Sequence, residues 1–174
     1  MITLAEKLGE TTPSSLLVRK AVRLGINDHT LAIRLAVQRG CRHYATPGVS
    51  SIEDPGHDRF SDEELTILLL SGQNPYDPTA IRCAAQLARS PHVSPTRLAL
   101  LAERFKTRRV LAHIARAGSR HDPEGATFWL TLLSSLSSSP ERAEPDLPHW
   151  SRFVSMPGIQ RHGPAPVRWL TPYR

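Results

Sequence analysis

One segment of this chain is written twice. Ala32-Ile33-Arg34-Leu35-Ala36-Val37-Gln38 returns as Ala80-Ile81-Arg82-Cys83-Ala84-Ala85-Gln86, identical at five of seven positions with an offset of 48 residues. A Gly-x-Asn turn stands upstream of each copy, Gly25-Ile26-Asn27 and Gly72-Gln73-Asn74, with one extra residue in the second. Each copy therefore reads as helix, turn, helix. A unit of that size cannot bury its apolar stripe alone, so repeated units stack and share a core. Leu98 to Gly118, with Leu-Ala-Leu-Leu-Ala and Val-Leu-Ala-His-Ile-Ala, reads as a third, degenerate copy. The signature residues of tetratricopeptide, ankyrin and leucine-rich repeats are missing.

The rest of the pattern agrees with an all-helical chain. Leu and Ala recur at spacings of three and four, and alternating runs of β-branched residues are absent. Stop and start signals predict the elements. A short helix covers Thr3–Gly9. A second runs from Pro13 to Leu24, with Thr12 as its cap, and ends at Gly25. A third runs from about Asp28 to Arg39, capped by Asn27 or Asp28, and ends at Gly40. Residues 41–60 form a long loop. Ser61-Asp-Glu-Glu64 is a capping box that opens a helix to Leu70. Asp77-Pro78 opens one to Arg89. Ser94-Pro95 opens a pattern that continues to Ala117 with a break near Lys106–Thr107. The last helix spans Glu124–Leu136, with Trp129, Leu132, Leu133 and Leu136 as its buried stripe.

Beyond Leu136 the composition changes. Seven of the 38 residues from 137 to 174 are proline, which predicts an extended arm. The expected fold is all-α, an irregular stack of antiparallel helical hairpins resembling an α-solenoid. It is divided into a repeat domain at 1–136 and a Pro-rich C-terminal arm at 137–174.

Charge narrows the function. The chain carries net charge +6, and 19 of its 22 basic residues are arginine. A basic balance favours anionic partners. Arginine can be selected for bidentate phosphate contacts, yet the accompanying Ala, Leu and Pro richness also fits a simple coding bias. Residues 97–120 hold seven basic groups, Arg97, Arg104, Lys106, Arg108, Arg109, Arg116 and Arg120, against Glu103 alone. Beyond Asp146 there is no acid, and Arg152, Arg161, Arg168 and Arg174 alternate with Trp150, Phe153, Trp169 and Tyr173. Basic residues among aromatics can hold phosphates and stack bases. They can also dock an arm on its own helices, which removes large apolar groups from water. The candidate partner-binding residues are Arg97, Arg104, Arg108, Arg109, Arg116, Arg152, Arg168 and Trp169.

Catalytic chemistry finds little support. Cys41-x-His43 is the one close Cys/His pair, and zinc needs four ligands. Asp54, His57 and Asp58 cluster in the long loop without a nucleophile motif. Glu63 and Glu64 are adjacent, so they diverge by about 100° on a helix and suit its N-terminus instead. No glycine-rich phosphate loop is present. Leu4-Ala5-Glu6-Lys7-Leu8-Gly9 starts like a helix-turn-helix module, but Glu10 and the serines at 14 and 15 break the apolar register. Arg34/Gln38 and Arg82/Gln86 place a polar pair on the same helical face in both copies, suited to a ligand or to tying units together.

The expected protein has no metal or cofactor and no catalytic residues. It is a cytoplasmic adaptor or scaffold for another protein with an acidic surface. The alternative is a nucleic-acid-binding protein that uses segment 97–120 and the arm. No run of 18 apolar residues is present, and the N-terminus lacks a signal-peptide apolar core, so neither membrane insertion nor export is expected. Cys41 and Cys83 are accordingly expected as reduced thiols.

Overall fold

The computed structural model describes residues 13–45, 47–48, 50–72, 76–136, 147–155 and 167–173. The expected helix at Thr3–Gly9, and Thr12 as the expected cap of the second helix, lie outside them. Seven α-helices occur among the described residues: α1 (Pro13–Arg23), α2 (His29–Gln38), α3 (Asp62–Leu70), α4 (Pro78–Leu87), α5 (Pro95–Arg104), α6 (Arg108–His121) and α7 (Ala126–Ser135). None of them is long and apolar enough to cross a membrane.

Local chemistry sets their ends. Asp28, Asp77 and Ser94 cap α2, α4 and α5, each accepting backbone N–H groups of the first turn. Ser61 and Glu64 form the full capping box of α3. Two helices stop at a glycine with positive φ, Gly25 and Gly40. In each, the next residue donates back across the turn, Ile26 N to Ala21 O at 2.9 Å and Cys41 N to Ala36 O at 3.0 Å. The end of α5 has the same hydrogen bond, Thr107 N to Ala102 O at 2.9 Å, but the left-handed position is Lys106, with φ 59°. That is the break expected near Lys106–Thr107, made without glycine. The predicted helix at Glu124–Leu136 begins as a 3₁₀ turn over Pro123–Gly125 before α7.

Helix α3 is the centre. Leu65, Ile67, Leu69 and Leu70 are buried around most of its circumference, and α1, α2, α4 and α5 all pack against it. Its most extensive contact is with α4. The corresponding pair in the first copy differs: α1 and α2 make little contact with each other, and α1 rests on α3. Helix α7 lies against both α5 and α6. Trp129 is fully buried there with Leu132 and Leu136, while Leu133 is only partly buried. Gly118 of α6 forms the socket, since a Cβ at that position would overlap the Trp129 indole.

The described parts of the C-terminal segment, 147–155 and 167–173, hold short regular elements. Trp150–Arg152 forms a 3₁₀ turn, and β1 (Val154–Ser155) pairs antiparallel with β2 (Arg168–Trp169), Val154 opposite Trp169. The ladder exists because its inward side chains enter the core. Trp169 meets Trp129 at 5.2 Å and Phe153 at 5.5 Å between ring centroids. The chain then runs to α2 and α4. Tyr173 N donates to Gly40 O at 3.0 Å, and Gln86 Nε2 donates to Thr171 O at 2.6 Å.

Two buried aspartates tie the irregular segments down. Asp62 accepts from Arg39 Nη1 at 3.0 Å and from Ser90 Oγ at 2.6 Å. Arg39 also binds both oxygens of Asp54, at 3.0 and 2.7 Å, and the carbonyl of Phe60. Burial works against the Arg39 charge, but Asp54 and Asp62 outweigh it, and the guanidinium pKa is raised. Asp122 plays the second part. It accepts from Arg89 Nε at 2.6 Å, from Trp129 Nε1 at 2.7 Å and from Gly125 N at 3.0 Å.

Candidate partner-binding surface

The basic segment folds into the α5–α6 corner, and Lys106 makes the turn. Its left-handed backbone turns the chain between α5 and α6, and the side chains of Glu103 and Arg108 meet across that turn. Arg97 and Arg104 are both exposed on α5. Between them stands Leu100, 71 % exposed. The intervals of three and four residues put all three on one helical face. The Arg104 guanidinium sits over the Phe105 ring at 5.5 Å. At the corner Lys106 and Arg109 are exposed, and Arg108 Nη1 lies 3.4 Å from Glu103 Oε1. That pair is solvent-screened and contributes about 0–1 kcal/mol, so a partner carboxylate can replace Glu103 at small cost.

The other predicted residues lie elsewhere. Arg116 is half-buried and Arg120 exposed further along α6. The C-terminal segment crosses this side of the helix. Pro148 O is 3.2 Å from His113 Nε2, and Trp150 stacks on His121 with centroids 3.9 Å apart. Burial lowers the His121 pKa, helped by the charges of Arg120 and His149. Arg152 and Arg168 are exposed on the 3₁₀ turn and on β2. Trp169 is 3 % exposed and packs in the core.

Leu100 is the residue that reading the sequence missed. The signal was there, because Leu98-Ala99-Leu100-Leu101-Ala102 is an unbroken apolar run. Five successive residues span more than a full turn, so a helix packed on one side cannot bury them all.

The remaining candidate chemistry resolves into structural ties. Asp54 holds Arg39, and His57 Nδ1 lies 3.2 Å from Asp62 Oδ1. Ser90 bonds that same carboxylate and not the imidazole, so no nucleophile–base relay forms. Glu63 accepts from Ser94 N, and Glu64 serves the capping box and pairs with Lys20. Cys41 and His43 diverge: Cys41 Sγ lies 3.6 Å from Cys83 O, and His43 Nε2 is 2.6 Å from Tyr173 Oη. Both cysteines are buried and free, and burial pushes the Cys41 thiol up. Among the described residues no three metal-ligating side chains converge.

No protein-family model, curated protein or solved structure matches this chain.

Proposed function

We propose that this protein is a non-enzymatic adaptor, a stack of antiparallel helical hairpins that presents the α5–α6 corner to another protein with an acidic surface. The observation that carries this reading is Leu100, 71 % exposed between Arg97 and Arg104 on one helical face. A single exposed leucine is ordinary. One flanked by arginines, beside Lys106, Arg108 and Arg109, has the composition of a protein interface. Apolar and arginine side chains form the buried centre of such interfaces, and complementary charge steers the encounter.

The nucleic-acid alternative rests on the same cations. Single-stranded nucleic acid also needs aromatic faces on which to stack. In the C-terminal segment Trp169 and Phe153 are buried, and Trp150 is stacked on His121. Phosphate attraction would remain, without a stacking platform from these three rings.

Two measurements separate the readings. Tagged protein and its Leu100→Asp and Arg104→Glu variants are compared by affinity capture and quantitative mass spectrometry. The adaptor reading expects an acidic protein enriched by the wild type and lost from both variants. The second measurement is a fluorescence-anisotropy titration with mixed-sequence DNA and RNA near physiological salt. Tight binding abolished by Arg108→Glu/Arg109→Glu, with a log–log salt slope of about −0.9 per duplex phosphate contact or −0.7 on single strands, would overturn the adaptor reading. Binding no tighter than a Kd of roughly 10⁻⁴ M removes the nucleic-acid alternative.

A further inference from the structure

The repeated helix α2 carries a second feature, separate from the α5–α6 corner. Thr30, Ile33, Arg34 and Val37 follow one another at intervals of three, one and three residues, which places them in one stripe. None of the four is fully buried. The chain beyond Cys41 folds back along this stripe. Gln38 fixes it there with a double hydrogen bond, Nε2 to Ile52 O at 2.9 Å and Ile52 N to Oε1 at 3.1 Å. Tyr44 and Ser51 of the returning chain and Thr79 of α4 complete the walls of a cleft of about 520 Å³. Small-molecule sites occupy roughly 300–1,000 Å³. The cleft is formed without further folding, because its loop wall is pinned by the Gln38 amide.

Its chemistry is simple. Ile33 and Val37 offer apolar surface, and Thr30, Ser51 and Thr79 offer hydroxyls. Burial, with Cys83 nearby, pushes the Tyr44 phenol up, so its hydroxyl stays protonated and can donate. Among the described residues two charged groups line the space, Arg34 and Asp77. The Asp77 carboxylate is engaged. Its Oδ1 accepts from Thr79 N at 2.7 Å and Ala80 N at 3.3 Å, and its Oδ2 lies 3.6 Å from His29 Nε2. Arg34 has no hydrogen-bond or ion-pair partner among the described residues.

One unmatched guanidinium above an apolar wall selects for a particular ligand. A guanidinium presents two parallel N–H groups that match a carboxylate. A dianionic phosphate calls for more positive charge than one arginine supplies, and the N-terminus of α4 is already occupied by Asp77. We propose that this cleft binds a small amphipathic organic acid, its carboxylate on Arg34 and its apolar body against Ile33, Val37 and Tyr44.

The test uses the full chain and four probes: phenylacetate, hexanoate, the neutral isostere phenylacetamide, and inorganic phosphate. Amide resonances are followed by NMR during each titration. The expected result is saturable shifts for residues 30–38 and Ser51 with at least one of the two acids, and phenylacetamide weaker than phenylacetate by about tenfold or more, the loss of one charge-assisted bidentate contact. Arg34→Gln should erase the preference for acid over amide while the helical circular dichroism stays unchanged. Should that variant fold poorly, the acid-versus-amide comparison on the wild type stands without it. Equal affinity for acid and amide, binding of phosphate as tight as that of the acids, or no shifts in this stripe with either acid would each overturn the proposal.

Discussion

The two copies of the repeated heptapeptide form the same element in unlike surroundings. In α4 the segment is sealed. Ala80, Ile81, Cys83, Ala84, Ala85 and Gln86 are buried, leaving Arg82 half-covered. In α2 Ala32, Leu35 and Ala36 are buried, but Ile33, Arg34 and Val37 are only partly covered and Gln38 is exposed. The difference comes from position. Helix α4 packs against α2 and α3 and receives the C-terminal segment through Gln86, whereas α2 keeps one face outward. The matching residues one step further on make the same point. Arg39 fastens the long loop through Asp54 and Asp62, where Leu87 of the second copy is simply buried. An identical sequence thus serves as core in one place and as a half-open wall in the other.

The sharpest way to break this comparison is to shorten the same side chain in both copies. Ile81→Ala should cost about 2–5 kcal/mol, as expected for a fully buried isoleucine. Ile33→Ala should cost about 1 kcal/mol, because only part of its surface leaves water. Urea unfolding of the two variants gives both numbers, and equal costs would mean that the copies share one environment.

Next in size is the second residue after each segment. Gly40 has φ +116°, and a Cβ there would lie 2.6 Å from Tyr173 O and 2.8 Å from Pro172 Cβ. Gly40→Ala should destabilise by about 1–3 kcal/mol and speed amide exchange at Tyr173, whose N–H binds Gly40 O. The equivalent position, Ala88, has an ordinary helical backbone, so Ala88→Gly should cost only about 0.5–1 kcal/mol and leave Tyr173 exchange unchanged.

The glutamines sharpen the contrast further. Gln86→Ala leaves the Thr171 carbonyl without its side-chain donor in a part-buried site and should cost about 1–2 kcal/mol. Gln38 bonds exposed backbone at Ile52, which water can satisfy, so Gln38→Ala should cost about 0.5 kcal/mol. A cost for Gln38 matching that of Gln86 would show the loop clamp to be as deep a part of the fold as the C-terminal contact.

The smallest effect is electrostatic and belongs to the first copy alone. The hydrogen bond from Arg39 lowers the Asp54 pKa, and burial opposes it without winning. The unfolded chain therefore takes up the Asp54 proton first as pH falls. The stabilisation is complete above the usual aspartate range, near pH 4, and is lost as pH drops through the lower folded-state value. Urea midpoints at pH 3 and pH 6 should differ less in Asp54→Asn than in the wild type. An unchanged difference would detach Asp54 from the acid sensitivity of the fold.

What could be read from the sequence was short-range. The caps at Ser61, Asp77 and Ser94, the stops at Gly25 and Gly40, and the break beside Lys106 all depend on close neighbours along the chain, and each stands where the pattern puts it; of the two caps offered for α2, Asn27 and Asp28, the structure uses Asp28. The basic character of the α5–α6 corner was equally legible, because Arg97 through Arg109 share two consecutive helices. The solvent side of that corner was not. Nothing within the apolar run 98–102 says which leucine the rest of the molecule leaves uncovered. Nor could periodicity reveal the pairing of Val154 with Trp169, the seat of the C-terminal segment on Gly40 and Gln86, or the open stripe of α2. Hydrogen bonding within a turn is fixed by neighbours along the chain, so its grammar is written locally. Burial is a competition among distant surfaces for the same few contacts, and two identical segments obtain different shares of it once the tertiary structure has chosen their neighbours.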